Sequence, residues 1–108
     1  MKDLTVILEN IRNAVERYQN QTLKFVAEQS YILRDLTTNL ADLEVYRADY
    51  YDQWLNVYFT CKHTTDAART KWSDNEVKEL HRIRMVMRGA YKVVDSIRST
   101  ISSNKFEN

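Results

Sequence analysis

The sequence predicts an all-α protein, an elongated helical hairpin with a short N-terminal helix and coiled-coil-like packing. Three observations carry that reading. Pro is absent and Gly89 is the only glycine among 108 residues, so the tight turns that join many short strands have almost nothing to be built from. Apolar residues recur at spacings of three and four along most of the chain, the period of an amphipathic helix. Hydrophobic residues make up 44% and charged residues 29% of the chain, which fits one folding unit over 1–108 and argues against a string of domains.

The first helix is expected over about 3–19. Its stripe is Leu4, Ile7, Leu8, Ile11, Ala14, Val15 and Tyr18, one face of a short amphipathic helix. The polar break Gln19-Asn20-Gln21-Thr22 ends it, and Thr22 is a candidate cap for a second helix. That second helix is expected over about 22–63. A 3,4 spacing picks out Val26, Gln29, Leu33, Leu36, Leu40, Leu43, Arg47, Tyr50, Trp54, Val57 and Cys61, of which only Gln29 and Arg47 are not apolar. This is a coiled-coil-like seam. A helix of that length measures roughly 60 Å, against a diameter of about 35 Å for a globule of this chain length. The sequence therefore predicts an elongated molecule that forms a homo-oligomer.

Two capping signals follow. His63-Thr64-Thr65-Asp66 can bend or restart the chain, and Ser73-Asp74-Asn75-Glu76 has the form of a capping box. A last helix is expected over about 74–102, with Val77, Leu80, Ile83, Met87, Ala90, Val94, Ile97 and Ile101 as its stripe, before a polar tail at 103–108. Gly89 inside that helix costs about 1 kcal/mol relative to Ala, which implies close packing or a bend there.

The chain carries no Gly-rich phosphate loop, no nucleophile elbow and no His pair at metal spacing, so neither an enzyme nor a bound cofactor is expected. Cys61, the lone cysteine, has no partner for an internal disulfide, and only His63 and His81 accompany it as soft ligands. In Cys61-Lys62-His63, side chains two apart on a helix do not face each other, so a packed thiol beside a surface histidine is the favoured reading. Acids at Asp3 and Glu9 interrupt any signal-like stretch, and no apolar run approaches the ~18–20 residues that span a bilayer. A cytoplasmic protein that does not engage membranes is expected.

Two surface features are candidates for function. The aromatic cluster of the long helix divides by helical spacing into a face with Tyr50, Trp54 and Val57, which continues the seam, and a second stripe of Tyr51, Leu55, Tyr58 and Phe59. The cluster reads as an oligomer contact or as a stacking platform for unpaired bases. Assembly is expected through Leu36, Leu40, Leu43, Tyr50, Trp54 and the Tyr51/Tyr58 face. Charge is also segregated. Residues 1–61 hold six Lys/Arg against nine acids, residues 62–105 ten against five, and the whole chain carries only +1. On the last helix Lys78, His81, Arg84, Arg88 and Lys92 fall within a sector of roughly 120°, interrupted nearby only by Asp95. Such a strip suits phosphates, and it equally fits a solvated face whose charges answer the acidic first half.

The tyrosine-rich long helix with Arg47-Ala48-Asp49-Tyr50-Tyr51, the connecting segment, and a terminal helix with Val94-Asp95-Ser96-Ile97-Arg98 and Ile101 resemble the UvsY-like recombination mediators of tailed phages. The resemblance covers roughly residues 23–102 as an order of elements and a hydrophobic pattern. It implies a small all-helical homo-oligomer that binds single-stranded DNA and helps load a RecA-like recombinase onto strands coated by single-strand-binding protein, in the host bacterial cytoplasm. The chain is shorter than that family's pattern and its charge is nearly balanced. An oligomeric scaffold or adaptor without nucleic-acid binding is the alternative.

Overall fold

The computed structural model describes residues 2–21 and 26–107, with side chains as far as Ser103. Four helices follow one another: α1 (Leu4–Gln19), α2 (Val26–Thr60), α3 (Asp66–Glu76) and α4 (Lys78–Glu107). The described residues contain no strand. The fold is all-α and elongated, with extents of 61 × 26 × 20 Å and a radius of gyration of 17.7 Å, against about 13 Å for a compact chain of this length.

α2 is the axis of the molecule, and the other three helices pack along it. α1 runs antiparallel to its N-terminal half and buries Ile7, Leu8, Ile11 and Ala14 against it and α4. Polar contacts fix the register of this pair. The Tyr46 hydroxyl donates to the Lys2 carbonyl (2.9 Å), and Asn10 Nδ2 donates to Asn39 Oδ1 (3.2 Å) while Asn39 Nδ2 donates to the Asp35 carbonyl (2.7 Å). The Arg17–Asp35 ion pair (3.5 Å) is exposed on both sides and contributes at most ~1 kcal/mol.

The seam of α2 is buried only in the first half of the helix: Gln29, Leu36, Leu40 and Leu43 are enclosed, with Ile32 and Asn39 beside them, and no later residue of the helix is. Tyr50, Trp54, Val57 and Cys61 are half-buried and Val26 is exposed. The reason is a change of neighbours. Below Tyr46 α2 is flanked by both α1 and α4; above it only α3 and the start of α4 remain. Leu36, Leu40 and Leu43 are consumed by the chain's own core, which corrects the expectation that they join separate copies.

The boundaries also differ from the spacing-based ones. The expected cap at Thr22 lies outside the described residues, and α2 ends at Thr60 instead of near His63. Of the two capping signals, the first wins: Thr65 in extended backbone accepts from the Ala68 N–H (3.3 Å) and starts α3. Ser73 is therefore inside α3, fully buried, and caps nothing. The chain breaks instead at Val77 (φ −119°, ψ 64°), so α4 begins at Lys78 and not at 74. That break leaves Val77 and Leu80 both buried. At the other end α4 continues to Glu107, through the stretch expected to be a tail from 103, where no Gly or Pro stops it. Its buried stripe is Val77, Leu80, Ile83, Met87, Ala90, Val94 and Ile97, joined by Val93. Gly89 is neither a close approach nor a positive-φ site: a β-carbon there would meet nothing within 4 Å.

Candidate nucleic-acid interface

With its apolar stripe turned into the bundle, α4 presents the opposite face to solvent. Lys78, His81, Arg84, Arg88 and Lys92 are all exposed on it, along about 21 Å of helix. Among the described residues Lys78, His81, Arg88 and Lys92 enter no ion pair. The neighbouring Arg82 is different, since its guanidinium is 3.7 Å from Glu79. The strip therefore carries cations that no acid among the described residues neutralises at contact distance.

Arg84 connects this strip to the aromatic cluster. Its guanidinium lies over the Tyr51 ring, 5.7 Å from the centroid, within the range of a cation–π contact. Tyr51 stacks on Trp54 (6.1 Å, 9° between planes), and Trp54 stacks on Tyr58 (5.4 Å, 19°). Steps of three and four put these rings on one face of α2. Trp54, which the heptad division sets beside Tyr50, is half-buried like Tyr50 and stacks in addition on Tyr51 and Tyr58.

α3 holds this ladder from above. Trp54 Nε1 donates to Asp74 Oδ1 (2.9 Å), and the Tyr58 hydroxyl donates to Asp66 Oδ1. That hydrogen bond, with the nearby Asp66 charge, raises the Tyr58 pKa above its ordinary value. Arg69 sits over the other side of Tyr58, 5.7 Å from the ring centroid, and donates from Nε to the His63 carbonyl (2.8 Å). Trp54 and Tyr58 are therefore committed within the chain. Tyr50 packs against the main core, Leu55 is half-buried, and Phe59, edge-on to Tyr58 at 5.1 Å, is 68% exposed.

Where strip and ladder meet, Asp74, Val77, Lys78, Leu80, His81 and Arg84 line a cleft of about 550 Å³. Three of the five strip residues open into it. One aromatic beside the strip escapes the sequence reading: Tyr91 is 42% exposed and lies three residues after Arg88 and seven after Arg84, spacings that put it on their edge of the helix. That spacing is legible in the sequence.

At the far end of α2 a second cleft of about 500 Å³ is lined by Val57, Thr60, Cys61, Lys62, His63, Trp72 and Glu76. Cys61 and His63 share it although they are two apart, because the helix ends at Thr60 and the rule for helical spacing no longer applies. The His63 ring lies 5.5 Å from Trp72, and the Cys61 thiol is 3.5 Å from the Tyr58 carbonyl. Among the described residues no three His, Cys, Asp or Glu side chains are placed to hold a metal ion, and no helix is long and apolar enough to cross a membrane.

The fold and this surface define a class, an elongated all-α bundle with an unneutralised basic face. Comparison with known protein families, with curated proteins and with solved structures finds no match for the chain.

Proposed function

We propose that this protein binds single-stranded nucleic acid along the outer face of α4. The observation that carries the reading is the strip itself: five exposed basic side chains in one line, four of them free of any ion pair among the described residues. An ordinary solvated helix face intersperses its charges with acids at three and four residues; here only Asp95 interrupts the line. Arg84 and Arg88 offer planar forks to phosphate oxygens, Lys78 and Lys92 act as point charges, and His81 adds ring donors and acceptors. Contacts of this kind follow a backbone without reading sequence. Tyr91 supplies a π-face for a splayed base, which a duplex keeps stacked inside itself.

In the wider reading, the protein is a mediator similar to the UvsY-like family of tailed phages. It acts as a homo-oligomer in the cytoplasm of an infected bacterium and helps a RecA-like recombinase onto strands covered by single-strand-binding protein. Several α4 strips set side by side in such an assembly bind avidly although each one is weak. The unpartnered outer face of α2 favours a second reading, an oligomeric adaptor that needs no nucleic acid.

A labelled single-stranded oligonucleotide titrated with the protein at several salt concentrations, with duplex as competitor, separates the two. The two lysines and two arginines of the strip predict a fall in log K of roughly 3 per tenfold rise in salt, at about 0.7 per neutralised phosphate, with single strands preferred. Absence of binding at low salt overturns the nucleic-acid reading and leaves the adaptor.

A further inference from the structure

We propose that the outer face of α2 is a self-association surface on which a second copy of this chain packs antiparallel, in the register that sets Arg34 against the partner's Asp52. α1, α3 and α4 all pack on the other side of α2. On the bare side, positions 27, 31, 34, 38, 41, 45, 48, 52, 55 and 59 advance by alternating steps of four and three, a second heptad seam behind the one that makes the core. All of them are exposed except the half-buried Leu55. Tyr31 is 65%, Val45 47% and Phe59 68% exposed. Without a partner among the described residues, the seam leaves Tyr31, Val45 and Phe59 in water.

The order of residues in this seam selects the partner and its direction. It is symmetric about residue 43, so that in an antiparallel pair each seam position faces another seam position. Arg34 and Asp52 stand nine places either side of that centre and meet as opposite charges, twice per dimer. Sizes also match: Ala27 meets the partner's Phe59, Ala41 the partner's Val45, and Tyr31 the partner's Leu55. At that end Ala27, Ser30, Tyr31 and Arg34 line a depression of about 160 Å³, which receives the partner's Phe59 ring. A parallel pair instead sets Arg34 on Arg34, Asp52 on Asp52 and Phe59 on Phe59. Against the antiparallel pair stands the row Glu28, Asp35, Asp42 and Asp49, which runs beside the seam and meets its own copy along one edge. Those charges sit at the rim, where exposed side chains can turn outward and stay hydrated at a cost in repulsion, and Asp35 is already paired with Arg17. The seam charges lie between the helices, where direction is decided. This surface is on α2 and not on the α4 strip, so the proposal and the nucleic-acid reading fail independently.

The test is sedimentation of the full chain over a concentration series up to millimolar protein. A dimer is expected. Arg34→Asp and Asp52→Arg should each weaken it by about tenfold, and the two together should restore it to within about threefold. A spin label on the native Cys61 should then report roughly 50 Å between copies, from its distance along the helix axis to the centre of the pair. A protein that stays monomeric overturns the proposal. A dimer indifferent to the single changes, or a label separation under about 30 Å as a parallel pair gives, overturns the register. Because both substituted residues are exposed and the swap carries its own rescue, loss of folding is distinguishable from loss of association.

Discussion

Gly89 sits on the solvent side of α4 with open space where a methyl group would go. Its spacing in the sequence implies close packing or a bend, but no contact in the chain requires the missing side chain. Gly89→Ala is therefore expected to raise unfolding stability by about 0.5–1 kcal/mol, through a narrower unfolded ensemble and better helix propensity, read as a higher urea midpoint with an unchanged slope. A loss would show that something approaches this backbone closely. Gln29 is the opposite case, a polar residue that the seam places in the core and that the structure encloses completely, with neither amide atom bonded among the described residues. Replacing it with Leu removes the desolvation cost of two orphan groups at similar volume. A gain of about 1–2 kcal/mol is expected in the same urea titration.

At the scale of elements, what the sequence makes legible depends on whether a helix keeps the same neighbours along its length. α4 lies along α2 from Leu80 to Ile97, and its predicted stripe is buried almost residue for residue. α2 changes neighbours at Tyr46, and beyond it the seam residues Tyr50, Trp54 and Val57 are only half-buried. Start signals behave similarly: two capping sequences stand eight residues apart, and local pattern does not say which one the tertiary contacts will use. The choice falls to Thr65, whose hydroxyl accepts the Ala68 N–H, while Ser73 is drawn inside. Thr65→Ala should cost about 1 kcal/mol. Because α3 holds Trp54 through Asp74, the loss should appear as faster amide exchange in α3 and altered Trp fluorescence, with α1 unaffected. Equal exchange in both helices would show that the cap is not what starts α3. The basic strip was fully legible, since it needs only helical spacing and a known buried face. Its tie to the aromatic ladder through Arg84 and Tyr51 was not, because it joins two helices 33 residues apart in the chain.

Over the whole molecule, a 61 Å rod with a charge of +1 has no net field to draw in a polyanion, so attraction must come from segregation. The structure segregates its charge by helix: free cations line the outside of α4, and Glu28, Asp35, Asp42 and Asp49 run along α2. On the proposed reading a strand would follow α4, and a second copy on the bare side of α2 would leave that face open. The two surfaces are compatible, and an assembly using both carries two parallel-sided basic tracks per pair.

The most direct measurement is the salt dependence of single-strand binding for the wild-type chain beside Arg84→Ala combined with Arg88→Ala. If the outer face of α4 is the phosphate track, the pair of substitutions lowers affinity at low salt and reduces the slope of log K against log salt by about 1.4, two phosphates' worth, with the sedimentation profile unchanged. A slope equal to that of the wild type would place the bound strand elsewhere and contradict the account.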